Sequence, residues 1–525
     1  MERLLNPVRI LGSRGMRSRL PFLVALAFGC TLIIFWSGVA QGTNLAGTGP
    51  DALPGTNLST DAASPAMPAP TPSPGPTALG QWRTDMQWPL VAVSLAVLHT
   101  GQIITWDAWE TGGTASVRLW NPSTRLFTRV PTTLSQMFCA DLLALADGRL
   151  LVAGGHNGSS VGIQTTVIFD PATNNWTQLA DMNFARWYPS VTLLPDGRVF
   201  VQGGDDATSK HVTIPEIYDP IQNTWTELPG TQLDVGGFYP QTYVTPNGNL
   251  FLVRSTDGRS HTLNYLTQTW TTGPTAPIVG GTSTMYRPGK IVTTGGVNSA
   301  SVSNSAATID TTQKAPVWQA LAPMASPRYM HNLVVLADGS VLAIGGSTVP
   351  SQTSTTGTLT NEIWHPQNGT WTTVAPMSDL RMYHSTAALL PDGTVLSAGG
   401  GRLPPAIDYQ TAQIYQPPYL FLGARPTITS APATTTYGST MAIQSPDAAS
   451  ITSAAFIKLG AVTHAFNSDQ RYVPLLFTVS GTTLTIQSPA TSNIAPPGYY
   501  MLFILNGNSV PSIAAIIQIS ANGGA

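Results

Sequence analysis

Leu145-Ala-Asp-Gly-Arg-Leu-Leu-Val-Ala-Gly-Gly155 and Leu194-Pro-Asp-Gly-Arg-Val-Phe-Val-Gln-Gly-Gly204 are two copies of one pattern. An apolar residue leads into a tight turn with glycine, a run of apolar strand formers follows, and the copy ends in Gly-Gly. The pattern returns at 336–346 and 390–400, with weaker copies at 98–107, 245–255 and 289–296. Its turn glycines are Gly101, Gly148, Gly197, Gly248, Gly289, Gly339 and Gly393. A second element follows, as in Ile168-Phe-Asp-Pro-Ala-Thr-Asn-Asn-Trp176, Ile217-Tyr-Asp-Pro-Ile-Gln-Asn-Thr-Trp225 and Ile363-Trp-His-Pro-Gln-Asn-Gly-Thr-Trp371. Two strands joined by a Pro/Asn/Gly turn, with Trp packing against a neighbouring unit, account for it.

A spacing of roughly 40 to 55 residues is the period of kelch-type propeller blades. Seven turn glycines predict a seven-bladed β-propeller over 79–425. The stretch Gly80 to Pro89, with Trp82 and Trp88, is expected to supply a strand that closes the ring. The repeat stops near Pro426. Alternating runs such as Ala454 to Leu459 and Tyr499 to Leu505 then predict a C-terminal immunoglobulin-like β-sandwich over 426–525. The fold class is therefore all-β. Composition agrees: of 525 residues 49 are Gly and 43 Pro, and 10% are charged, which suits short strands and tight turns. The formal net charge of −2 leaves no basic footprint for nucleic acid.

The N-terminus reads as an address. Arg3, Arg9, Arg14, Arg17 and Arg19 precede an uncharged apolar run from Pro21 to Ala40, the order of a signal for membrane insertion and translocation. Residues 1–40 are a signal peptide, with Gly38-Val39-Ala40 as cleavage site, or an uncleaved anchor through 21–40. Residues 41–78, rich in Thr, Pro, Ala and Gly, are expected to form a disordered linker. The chain is expected to be secreted or otherwise extracytoplasmic, and monomeric. Its two cysteines are Cys30, inside the apolar leader, and Cys139, so the exported part carries one unpaired thiol. Such a thiol is buried or used.

Four segments bear chemistry-capable side chains beside inner strands or on a polar turn. Gln136-Met-Phe-Cys139, Ala185-Arg-Trp-Tyr-Pro189 and Leu380-Arg-Met-Tyr-His-Ser385 occupy matching places in their blades, and Thr463-His-Ala-Phe-Asn-Ser-Asp-Gln-Arg471 lies in the sandwich. Matching places in successive blades converge at one end of the axis, so Cys139, Tyr188, Tyr383 and His384 should be neighbours. Two imidazoles and two phenol oxygens make an N,O set suited to Cu(II). Taken singly, each His is better explained as a structural residue and each Tyr as packing; what favours a metal site is that the free Cys, both Tyr and one His occupy matching blade positions.

These segments, in this order, resemble the copper-radical oxidases, the galactose oxidase and glyoxal oxidase family. The likeness runs from about Trp82 to the C-terminus and includes Pro496-Pro-Gly-Tyr-Tyr-Met-Leu-Phe-Ile-Leu-Asn506. The resemblance implies one copper ion per chain, held by Tyr188, His384, His464 and, axially, Tyr383. It also implies a Cys139–Tyr188 thioether as a radical cofactor, making Cys139, Tyr188 and Tyr383 catalytic. The implied reaction converts primary alcohols or aldehydes to aldehydes or acids while dioxygen becomes hydrogen peroxide. Galactose oxidase carries a tryptophan soon after the Gly-Gly that follows the cross-linked tyrosine. Here Gly203-Gly204 is followed by Asp205-Asp206, so that shield is absent or comes from elsewhere, Trp187 being one candidate. The carbohydrate-binding module of some relatives is also missing, which makes glyoxal-type substrates a better expectation than galactose. Asp469, Gln470 and Arg471 are expected to shape the His464 loop, and His156, His211 and His331 to be structural. The rival readings are a non-catalytic kelch propeller that binds glycans or a protein partner, and a tethered surface protein with a vestigial copper site.

Overall fold

The computed structural model describes residues 74–108, 117–131, 136–158 and 161–520. The leader and almost all of the linker expected from the sequence therefore lie outside the described residues. Among those described, no helix is long and apolar enough to cross a membrane.

Each strong repeat copy forms a hairpin of inner strands, and the second element forms the outer hairpin. In the 140–178 unit, Ala140–Ala144 pairs with Leu150–Gly154, which pairs with Thr166–Asp170 and then Asn175–Gln178. The same antiparallel order recurs in the sheets that begin at Ser94, Ser190, Thr242, Thr282, Asn332 and Ser385. We read these sheets as the blades that the turn glycines predict. All seven of those glycines have φ between 75° and 88°, where a side chain is strained and glycine is not. The last sheet takes its outer strand from the other end of the chain. Gln81–Trp82 and Met86–Gln87 both pair with Thr411–Gln416, so the expected closing strand is present.

The core lies between sheets. Leu143, Leu151 and Ile168 of one unit pack with Val191, Leu193 and Val201 of the next. Each such fully buried side chain contributes about 1.5–3 kcal/mol. Tryptophans of the outermost strands stitch neighbours together: the Trp225, Trp270 and Trp371 indoles donate to the carbonyls of Ala180, Thr231 and Ala322, each just past the preceding sheet.

The Gly-Gly pairs have a role that the pattern alone did not disclose. Arg186, Arg328 and Arg381 are fully buried, and each donates to the first glycine's carbonyl in its own unit, Gly203, Gly345 and Gly399. The second glycine of the preceding unit donates its amide back to the arginine's carbonyl: Gly155 to Arg186 and Gly346 to Arg381. A Cβ on Gly345 would come 2.0 Å from the Arg381 carbonyl oxygen, so the sheets can approach this closely only through glycine. Arg186 and Arg328 are paired with buried Glu216 and Glu362 at 2.9 Å.

After Arg425 the chain forms a five-stranded sheet facing a three-stranded one, with a core of its own that includes Phe456, Leu484, Leu502 and Ile517. One excursion leaves it. Ala461–Thr463 pairs with Ser94–Val97, the innermost strand of the first sheet, and turns back as Phe466–Asn467. The following residues tie this finger to other inner strands. Ser468 Oγ donates to the Leu142 carbonyl, and Asp469 accepts from the Ala144 amide. The Gln470 side chain donates to the Leu333 carbonyl and accepts from the Val335 amide. These residues shape the loop that bears His464, as expected.

Candidate metal and radical centre

Side chains at the starts of the inner strands are aimed by unusual backbone. Cys139, Tyr188 and His384 have φ of 64°, 63° and 66°, left-handed values that non-glycine residues adopt at a cost and that cluster at functional sites. Tyr239, at the start of the next sheet, has φ 39°. A backbone ladder joins three of them: the Tyr188 amide donates to the Cys139 carbonyl, and the Tyr239 amide to the Tyr188 carbonyl, each at 3.0 Å.

The five residues expected from the sequence come together in one buried cluster. The Tyr188 and Tyr383 hydroxyls are 2.5 Å apart. Cys139 Sγ lies 3.9 Å from His464 Nε2. The ring centroids of His384 and His464 are 4.6 Å apart, those of Tyr383 and His384 3.8 Å, and those of Tyr188 and His464 5.1 Å. Burial pushes His384 down to about 3 and His464 well below the ordinary imidazole range, with the His384 charge adding to the effect on His464. Both rings are therefore neutral and able to act as ligands. Burial likewise raises the Cys139 thiol and the Tyr188 and Tyr383 phenols.

The cluster fits a copper ion. His384 Nδ1 is 2.7 Å from the Gly401 carbonyl. A carbonyl only accepts, so Nδ1 carries the proton and Nε2 the lone pair. That Nε2 is buried with no hydrogen-bond partner, a costly state for a polar atom unless a ligand takes the lone pair. His464 Nδ1 is engaged by Thr463 Oγ1 at 2.6 Å and the Tyr239 hydroxyl at 3.0 Å, which leaves its Nε2 facing Cys139. Two imidazole nitrogens and two phenol oxygens suit square-based Cu(II).

Trp187 covers the pair that would be cross-linked. Its ring stacks on Tyr188 with centroids 4.0 Å apart and planes inclined by 28°, and Cys139, Tyr188 and Trp187 belong to one packed cluster. Asp205, just past Gly-Gly, exchanges two 2.8 Å backbone hydrogen bonds with Trp187. The residue standing where a shield was missed thus holds the backbone of the tryptophan that stacks there. Of the remaining histidines, His331 is buried with Nε2 2.7 Å from Thr294 Oγ1, a structural contact.

Sequence reasoning missed Tyr239. Its hydroxyl donates to the Ala140 carbonyl at 3.2 Å, and its ring lies 4.8 Å from that of His464. A signal existed: Tyr239-Pro240 precedes its inner strand as Tyr188-Pro189 precedes the neighbouring one.

Comparison with known proteins decides the family. The family described as glyoxal oxidase N-terminus matches residues 108–286 and 278–418, and the galactose oxidase-like early set domain matches 425–519. The chain belongs to the galactose oxidase and glyoxal oxidase family of copper-radical oxidases. Membership in this family makes it a copper-dependent oxidase. Among its relatives is the galactose oxidase of Gibberella zeae, 30% identical over 502 residues, spanning 86% of this chain and 71% of that protein. The aldehyde oxidase GLOX of Vitis pseudoreticulata is 30% identical over 54% of this chain and 62% of its own length. A solved structure described as a novel fungal alcohol oxidase with catalytic diversity among the AA5 family, in complex with copper, superposes with TM-score 0.76 at 28% identity. It covers 84% of this chain and all of that one.

Proposed function

We propose that this family member oxidises primary alcohols or aldehydes outside the cytoplasm, with glyoxal-type substrates favoured over galactose. Copper would be held by Tyr188, Tyr383, His384 and His464, and Cys139 would be joined to Tyr188 by a thioether. The observation that carries this reading is the convergence of four inner-strand residues with His464 around the partnerless Nε2 of His384. Export rests on the arginine-rich start and the apolar run to Ala40.

Bound copper would supply a one-electron partner beside Tyr188 and a seat for the substrate oxygen. Tyr383 would take the hydroxyl proton as general base. Tyr188, starting as its one-electron-oxidised radical and with its ring electron-rich through the Cys139 sulfur, would take a hydrogen atom from the substrate carbon and return to the closed-shell phenol. Two electrons and two protons leave the alcohol or aldehyde hydrate, and dioxygen accepts both pairs as hydrogen peroxide. Trp187 shields the radical ring on one face.

A cleft of about 100 Å³ is lined by His464 together with Phe238, Tyr239, Gln241, Tyr329 and Met330 among others, none of them bearing a carboxylate, guanidinium or ammonium group. The test is copper content together with peroxide release on a panel of glyoxal, methylglyoxal, simple primary alcohols and galactose. About one copper per chain with peroxide from small aldehydes or alcohols is expected. Absence of copper and peroxide contradicts the reading, and galactose as the best substrate contradicts its finer part.

A further inference from the structure

We propose that Tyr239 is a positioning residue that fixes His464 in the tautomer whose Nε2 lone pair faces Cys139, Tyr188, Tyr383 and His384; this rests on the copper reading above. The argument begins with proton counting. A phenol has one proton to give. The Ala140 carbonyl, 3.2 Å from the Tyr239 hydroxyl, can only accept, so the proton goes there. The hydroxyl oxygen then accepts from His464 Nδ1 at 3.0 Å, and Nδ1 must carry the ring proton. Nε2 is left as the lone-pair nitrogen, the state that His384 reaches through the Gly401 carbonyl. Metal-binding histidines are commonly held by such a bond from the far ring nitrogen.

Tyr239 is equipped for this task by its backbone. Its amide is the second rung of the ladder that runs through Tyr188 to Cys139, and its side chain is fully buried among aromatic rings, tilted against Tyr188 at 5.1 Å and against His464 at 4.8 Å. One residue therefore ties the spacing of the Cys139–Tyr188 pair to the orientation of a ligand from a different sheet system. Thr463 also touches Nδ1, at 2.6 Å, and its hydroxyl bonds Ser94 Oγ at 3.1 Å and the Val93 carbonyl at 3.4 Å, so it registers the finger against the first sheet, whereas Tyr239 reaches the ring from the sheet that begins at Thr242.

The test compares wild type, Tyr239→Phe and Thr463→Val. Phenylalanine keeps the ring packing and the backbone ladder and removes only the hydroxyl. Tyr239→Phe is expected to weaken copper binding by about 10–100-fold, to alter the Cu(II) electron paramagnetic resonance spectrum, and to leave circular dichroism unchanged. Thr463→Val is expected to weaken binding less. Ring nitrogen-15 spectra of copper-free wild type, with histidines labelled, should show His464 protonated on Nδ1. Protonation on Nε2 overturns the proposal without any variant, as does a Tyr239→Phe protein with unchanged affinity and spectrum, or a larger loss in Thr463→Val. Wild type that binds no copper overturns the copper reading itself; copper-binding wild type matched by Tyr239→Phe overturns this inference alone.

Discussion

His384 and His464, the two imidazoles proposed to hold copper, are placed by opposite kinds of support. His384 stands at the start of an inner strand, and the Gly401 carbonyl that holds it belongs to the same sheet unit. His464 sits at the tip of a hairpin that leaves the sandwich, pairs with the first sheet and is held by Tyr239 from a third element. The first proposed ligand comes with the repeat and the second with the finger that pairs against the first sheet. A centre divided in this way assembles only when the finger is seated, so its metal affinity should respond to residues far from any donor atom.

The sharpest way to break the comparison is His464→Ala. It should lose copper and activity while circular dichroism stays that of the folded chain, because His464 lies at the finger's tip and no sheet depends on its ring. Retention of full copper and activity would remove His464 from the donor set.

Asp469→Ala acts on the seating of the finger. Asp469 pairs with the buried Lys458 ammonium at 2.8 Å and accepts from the Ala144 amide. Removing it strands a buried charge, at a cost of about 3–5 kcal/mol in stability, measured by denaturant unfolding. Copper affinity should fall as well. An unchanged affinity would show that the finger seats without this pair.

Proton release sharpens the electrostatic side. Both histidines are neutral through burial, whereas the phenols are held protonated. Copper entry must then expel a phenol proton rather than an imidazole proton, so affinity should rise with pH, by about tenfold per unit for each proton released. A flat profile between about pH 5 and 8 would mean that no phenolate is formed. Trp187→Leu should have the smallest effect on folding, about 0.5–1.5 kcal/mol from the lost ring stack, with a shorter-lived radical by optical absorption. An unchanged radical lifetime would deny Trp187 its shielding role.

The same division explains what could be read from the chain beforehand. Turn glycines, inner hairpins and outer tryptophans all repeat, so a local pattern reports a global architecture. Matching blade positions likewise predicted that Cys139, Tyr188, Tyr383 and His384 would be neighbours. His464 has no copy in the repeat; the sequence offered it only as a histidine on a polar turn, and the resemblance gave it a role. The arginines of Ala-Arg-Trp-Tyr, Pro-Arg-Tyr-Met and Leu-Arg-Met-Tyr recur in plain view. Their function was hidden because it depends on carbonyls brought close only after neighbouring sheets pack. Trp187 was named as a candidate shield, yet its stacking follows from the φ of Tyr188 and the pairing with Asp205, neither of which a linear pattern encodes.

The central claim is that Cys139 and Tyr188 form one redox cofactor. Its most direct test is peptide mass spectrometry of protein loaded with copper in air. The account predicts a linked pair of peptides containing Cys139 and Tyr188, lighter by the thiol hydrogen and one ring hydrogen, with Cys139 closed to alkylation after unfolding. Cys139→Ser should keep copper, show no link and lose most turnover. Freely alkylatable Cys139 in copper-loaded protein that still turns over would contradict the radical mechanism.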